Sequence, residues 1–315
     1  MSVFLGLDTS NYTTSAAVLH PESSTLRQSK RLLPVKAGEL GLRQSDALFH
    51  HVRQLSEVLD EAASELDGED ISAVCVSDRP RNAPSSYMPC FLAGKLVADS
   101  LGAVLKVPVY YASHQEGHLA AALWSAGRMD LLEKKFIAFH VSGGTFEVLA
   151  VRPGEDHVFD VDILAGTMDI SAGQLIDRAG QMMDLGFPAG PALERLAMEG
   201  KVLWRRKPVL KDGCCCLSGL ENLARKSLEE GASQQDLSRT IIEHIAQVLR
   251  AMTEYALERA GDLPLVYSGG VMSNALLKER LAGVGECAFA QPAFSADNAC
   301  GDAILGWVLH RRKGG

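Results

Sequence analysis

A strand, a turn rich in hydroxyl groups and a second strand open this chain, and the same succession starts again at residue 136. VFLGLD, TSNYTTS and AAVLH form the first hairpin, with TLRQSKRLL as a third strand. FIAFHVSGG (136–144), TFEVLAV and HVFDVDILAG repeat the triplet. After each triplet the pattern changes to alternating helix and strand. In the first half Leu48, Val52, Leu55, Val58 and Ala62 recur at helical spacing from Ser45 on, ISAVCVSD reads as a buried strand, SYMPCFLAGKLVADSLG as a helix and VPVYYAS as a strand. In the second half helices over ISAGQLIDRAGQMMDL, PALERLAMEG and 235–260 precede the strand PLVYSGG, the helix SNALLKERL, the strand ECAFAQP and a closing helix NACGDAILGWVLHRR.

A duplicated unit of this order resembles the actin, hexokinase and Hsp70 (ASKHA) superfamily: two α/β domains with mixed sheets and a nucleotide cleft between them. The expected division is residues 1–130 and 131–297, with a closing helix over 298–313 packing on the first domain. A chain of 315 residues suits two domains, and 47% hydrophobic with 22% charged residues reads as soluble and globular. MSVFLGLDTS lacks the basic start of a secretory signal and no apolar run approaches ~18 residues, so a cytoplasmic protein without membrane spans is expected. Seven cysteines, three of them adjacent at 214–216, form neither a disulfide framework nor a CxxC pair and read as reduced core residues. The net charge of −8 opposes indiscriminate nucleic-acid binding. One segment stands against it: KVLWRRKPVLK (201–211) carries Lys201, Arg205, Arg206, Lys207 and Lys211 without an acid, plus Trp204 as a stacking face. It reads equally well as a solvated loop.

HQEGH (114–118) places two imidazoles four residues apart, on one face if the segment is helical. In a zinc protease the residue after the first histidine is the general-base glutamate; here it is Gln115, and Glu116 lies off the histidine face. Read alone, such a pair is more often a cap and a packed core histidine than a ligand set.

Seven short motifs in register change that reading: LGLDTS, HQEGHLAA, VSGG, MDISAGQLIDRAGQMMDLGFPAGP, LSGLENLARK, SGGVMSNALL and FSADNACGDAILG. Together they resemble, over nearly the whole chain, the TsaD/Gcp family of tRNA threonylcarbamoyladenosine transferases, formerly called O-sialoglycoprotein endopeptidases. The resemblance implies metal ligands at His114, His118 and Asp297, holding one divalent ion, iron or zinc. It also implies nucleotide and substrate contacts at Val141, Ser142, Gly143, Gly144 and Thr145, and at Asp177, Gly190 and Asn274. ATP or threonylcarbamoyl-adenylate would be the ligand, and Asp8 would orient a nucleophile or a water. Implied partners are tRNA, a TsaB-like paralogue and a TsaE-like ATPase, in a homo- or heterodimer. Singly, Asp297 and Asn274 also fit helix N-caps, the glycines a tight turn and Asp177 a solvated helix face.

The chain departs from the family pattern around the reacting end of the ligand. Tyr12 stands where the first hairpin has its second acid. DRPRNAPSSYMP, with Arg79, Arg81, Ser85, Ser86 and Tyr87, replaces a glycine-rich GPG segment. Thr145 and Phe146 follow SGG, and His140 precedes it. These changes suggest a divergent paralogue. The expectation is a metal-dependent acyltransferase moving a threonylcarbamoyl or related carbamoyl group from an adenylate to a tRNA adenine. A non-catalytic nucleotide-binding scaffold, a small-molecule kinase and a carbamoyltransferase acting on a metabolite stay open.

Overall fold

The computed structural model describes residues 2–10, 12–35, 42–64, 66, 68–295 and 297–314. The chain divides into two compact units. The first comprises Met1–Trp124, Pro153–Asp160 and Ala296–Gly315, the second Ser125–Arg152 and Val161–Ser295.

In the first unit β1 (Val3–Asp8), β2 (Thr13–His20), β3 (Thr25–Leu32), β4 (Ile71–Arg79) and β5 (Val109–Ser113) form one sheet of order β3-β2-β1-β4-β5. β1 runs antiparallel to β2 and parallel to β4. Alternation along β1 sends its side chains to opposite faces. Leu5 and Leu7 join Val58, Ala62 and Ala98 of α1 (Gln44–Ala63) and α2 (Phe91–Leu105), while Phe4 meets His310 of α9 (Cys300–Arg312) on the other face. α3 (His114–Ser125) leaves the end of β5 directly.

In the second unit β6 (Phe136–Val141), β7 (Phe146–Pro153), β8 (Phe159–Gly166), β9 (Leu265–Ser268) and β10 (Cys287–Phe289) have the order β10-β9-β6-β7-β8. Read from the other edge, β6 takes the place of β1, β7 of β2, β8 of β3, β9 of β4 and β10 of β5, which is the duplication visible in sequence. The helices are α4 (Ala172–Met182), α5 (Gly190–Glu199), α6 (Ser218–Glu229), α7 (Gln234–Ala260) and α8 (Ala275–Leu281). α7 carries the core stripe Leu237, Ile241, Ile245, Leu249, Met252 and Ala256, at the spacing of a helix with one apolar face. Pro153–Asp160 packs with the first unit although it lies within the second half of the sequence.

Several local expectations are corrected. The buried stripe of α1 is Ala47, His51, Leu55, Val58 and Ala62, and Val52 is 61% exposed. His51 can turn inward because its Nδ1 meets Thr14 Oγ1 at 2.8 Å. α2 starts at Phe91 rather than Ser86: Ser85 is left-handed (φ 64°), and Pro89 precedes the helix. α6 was not anticipated from LSGLENLARK. Of the seven cysteines, Cys216 is exposed and Cys214 and Cys287 are half-buried, so only four are core residues. No helix among the described residues is long and apolar enough to cross a membrane.

Candidate metal centre

The segment SHQE at the β5–α3 junction fits a capping box, in which an N-cap hydroxyl and a glutamate three residues on satisfy each other's backbone N–H groups. Ser113 Oγ accepts from the Glu116 N–H at 3.3 Å, and Glu116 Oε2 accepts from the Ser113 N–H at 3.0 Å. The other oxygen, Oε1, accepts from the N–H groups of Val158 and Phe159 at 3.0 and 3.3 Å. Glu116 is therefore structural: it starts α3 and ties Pro153–Asp160 to the first unit. Its place in HQEGH has nothing to do with a protease base.

With the helix started at His114, both histidines stand on one face. His114 Nε2 and His118 Nε2 are 2.9 Å apart, and Asp297 Oδ1 lies 3.5 and 3.4 Å from them. Three donor atoms bonded to one cation at ~2.0–2.2 Å are separated by edges of this size. Together His114, His118 and Asp297 form a group able to hold a metal ion. Asp297 does not cap α9; Asn298 Oδ1 accepts from the Cys300 N–H at 3.0 Å instead, which leaves the Asp297 carboxylate for the histidines.

Asp8 stands behind the pair. Its Oδ2 is 3.1 Å from His114 Nδ1 and 2.8 Å from Ser10 Oγ, and its Oδ1 accepts from the Ser10 N–H at 3.0 Å. A fully buried carboxylate so engaged fixes the imidazole with Nε2 facing Asp297, the arrangement by which outer carboxylates orient metal-binding histidines. Burial alone would lower the His114 pKa, but the charge of Asp8 and hydrogen bonds to Asp297 and Asp8 outweigh it and raise it well above the ordinary value. Asp297 moves the other way. Burial disfavours its charge, yet the hydrogen bonds and charges of the two histidines hold it well below the usual carboxylate range. Asp8→Asn, which keeps shape and removes charge, is expected to weaken metal affinity about 10–100-fold with the fold intact. Competition with a chromogenic chelator measures this.

A third buried acid, beside Asp8 and Glu116, was not legible in sequence. Asp302, in the first turn of α9, accepts from Ser77 Oγ at 2.8 Å through Oδ1, while its buried Oδ2 has no partner. Burial first, then the charge of Asp8, push its pKa well above the carboxylate range. In the unfolded chain the group ionises near ~3.9. Between that pH and its raised folded pKa the native state binds more protons, so stability falls as pH rises. Asp302→Asn should remove this slope, on the order of 1 kcal/mol per pH unit, leaving the variant more stable than wild type at pH 7.5 but not at pH 4. Urea unfolding at the two pH values reads it.

The expected nucleotide contacts all lie in the second unit. Val141 ends β6, and the turn Ser142–Thr145 is closed by the Ser142 N–H to Thr145 O (2.8 Å) and the Thr145 N–H to Ser142 Oγ (3.0 Å). α4 grips it from behind: Ser171 Oγ donates to Gly143 O at 2.6 Å and the Gly173 N–H to Ser142 O at 3.2 Å. The N–H groups of Gly143 and Gly144 donate to no described residue, and space beside both is open. Gly269 abuts this turn with φ 97°, and a side chain there would overlap the backbone of Val141. Asp177 Oδ1 accepts from the Ala189 N–H at 2.9 Å, one residue before Gly190, where α5 begins. Asn274 caps α8, accepting from the Leu277 N–H at 3.1 Å.

The departures also have a structure. Arg79 pairs with Asp78 and reaches Asn82, Ser86 Oγ accepts from the Arg81 N–H at 3.1 Å, and Pro80 O accepts from the Gln115 N–H at 3.1 Å. The segment that replaces the glycines is thus a folded loop tied to the first turn of α3.

Two five-stranded sheets of one order give the chain a fold of the actin, hexokinase and Hsp70 type, and its first unit carries a two-histidine, one-carboxylate group able to hold a metal ion. A tRNA N6-adenosine threonylcarbamoyltransferase of Sulfurihydrogenibium sp. (strain YO3AOP1) is 28% identical, over 99% of this chain and 92% of its own. A probable bifunctional tRNA threonylcarbamoyladenosine biosynthesis protein of Thermoplasma volcanium is 29% identical over 95% of this chain, which spans 54% of that longer protein. Component A of the (R)-2-hydroxyglutaryl-CoA dehydratase of Acidaminococcus fermentans shares the fold, at 15% identity, with a TM-score of 0.57 over 99% of this chain and 100% of its own. The sequence profile of TsaD, tRNA N6-adenosine threonylcarbamoyltransferase, matches residues 38–303. The chain belongs to the TsaD family.

Proposed function

We propose that this protein transfers a threonylcarbamoyl group, or a closely related carbamoyl group, from an adenylate to the exocyclic amine of a tRNA adenine, with iron or zinc held by His114, His118 and Asp297. The observation that carries the reading is the convergence of those three donors with Asp8 buttressing one of them. Two imidazoles and a carboxylate suit iron(II) or zinc, and a cation so held supplies Lewis acidity toward carbonyl or phosphate oxygens.

The chain's own residues supply the rest. Asp8 has both oxygens engaged, which favours an orienting role on His114 over contact with a nucleophile. The unpaired N–H groups of Gly143 and Gly144 suit phosphate oxygens, in a turn held rigid by Ser171 and Gly173. Asp177 and Asn274 have one oxygen each committed to backbone, so in this reading they shape the α5 and α8 starts and meet the nucleoside with their remaining atoms. In the transfer a carbon–nitrogen bond forms, the carbon–oxygen bond to the phosphate breaks, AMP leaves, and the amine loses one proton. A TsaB-like paralogue and a TsaE-like ATPase fit as partners of the reaction. Tyr12 and the Arg79–Ser86 loop favour a second reading, in which the donor is a carbamoyl adenylate other than threonylcarbamoyl.

Incubation of the purified protein with tRNA and threonylcarbamoyl-adenylate, followed by nucleoside mass spectrometry, tests this. Formation of N6-threonylcarbamoyladenosine is expected. Adenylate consumption without a modified nucleoside would move the acceptor away from tRNA, and no consumption in the presence of the partners would overturn the reading.

A further inference from the structure

The segment Lys201–Lys211 crosses the second unit without helix or strand until Lys211 bridges to Cys214. It is nonetheless fastened. The Lys201 N–H donates to Asp236 Oδ1 at 2.7 Å and the Leu203 N–H to Thr240 Oγ1 at 2.9 Å. Trp204 is not the stacking face its sequence suggests: its indole N–H donates to Ser227 Oγ at 3.2 Å and its ring stands edge-on to His244, 6.3 Å between centroids. Trp204 and Leu210 pack against the unit's core.

These anchors hold the intervening cations outward. Arg205, Arg206, Lys207 and Lys211 are exposed, and none has an ion-pair partner among the described residues. Several other cations of the unit are neutralised locally, as Arg178 is by Glu221, Lys226 by Glu230 and Arg250 by Glu254. Asp236 stands at the start of the strip, beside Lys201, whereas the charge of Arg206 reaches His244, whose pKa burial foremost and then that charge keep low. The N–H groups of Trp204 to Lys207 also donate to no described residue. Exposed guanidinium and ammonium groups with free backbone N–H groups on an anchored segment are what a phosphodiester chain contacts, and contacts of this kind position a nucleic acid without reading its bases. On a protein of net charge −8 the strip is a local feature rather than a reflection of overall charge.

We infer that Lys201–Lys211 is a phosphate-contacting rail for RNA, seating the tRNA substrate; the inference rests on the proposed transfer reaction. It predicts that Arg205→Gln/Arg206→Gln/Lys207→Gln weakens binding of full-length tRNA tenfold or more at low salt. The slope of log affinity against log salt should flatten by roughly 2 units, since each lost contact removes about 0.7–0.9. Arg225→Gln/Lys226→Gln/Arg250→Gln removes the same charge from exposed, ion-paired positions and should leave affinity and slope unchanged. Melting temperatures check that both triple variants fold. Wild-type affinity in the first variant, or equal weakening in both, would overturn the rail while leaving the transfer reaction intact. Competition with poly-glutamate as effective as with RNA would assign the strip to acidic polypeptides and also overturn it. Wild type that binds no tRNA would overturn both the rail and the tRNA reading.

Discussion

Asp297→Ala is expected to cost the protein its metal, and with it transfer activity, by at least ~100-fold in each. Three donor atoms 2.9–3.5 Å apart make a chelate, and removing the one carboxylate among them leaves two imidazoles one turn apart on α3. His118→Ala should act alike. Elemental analysis after dialysis should fall from about one metal per chain to under about a tenth. Had Asp297 been a helix cap, its loss would have cost about 1 kcal/mol of stability and no metal. Since Asn298 rather than Asp297 accepts from the first N–H of α9, the helicity of α9 should survive the substitution.

Gly301→Ala should be more damaging still, although glycine to alanine normally favours a helix. Gly301 lies in the first turn of α9, against Gly117 between the two histidines of α3. A methyl group there would overlap the carbonyl carbon and oxygen of Gly117, which are backbone atoms with no rotamer to escape into. The two helices must separate, which carries apart the histidines on one and Asp297 just ahead of the other. A loss of about 3 kcal/mol or more is expected, together with loss of the metal, as overpacking in a closed site dictates. Calorimetry of the metal-free proteins isolates the stability change. Gly301→Ala melting like wild type would contradict the close approach.

What the sequence made legible was whatever is periodic or repeated. The duplicated hairpin gave the two sheets and their matching order, because alternation and turn residues act locally. His114, His118 and Asp297 came from the register of seven motifs, since no rule of spacing links residues 118 and 297. Ser113 and Glu116 could have been read as a capping box from SHQE alone, which would have removed the glutamate from consideration as a base. Asp302 and the Gly117–Gly301 contact were out of reach, because both depend on α9 returning across the sheet to α3. The inward face of α1 was misplaced because His51, a polar residue, occupies a core position by bonding Thr14. The basic segment was recognised as charged, but only the structure separates Trp204, which is packed, from the cations, which are not.

The central claim is that the trio holds a metal that transfer to tRNA requires. The direct test is nucleoside mass spectrometry on tRNA treated with adenylate and one preparation of wild type, chelator-stripped, then restored with one equivalent of iron(II) or zinc. Modification that vanishes on stripping, returns with one equivalent, and does not return in Asp297→Ala is the predicted result. Undiminished modification by the stripped protein would contradict it.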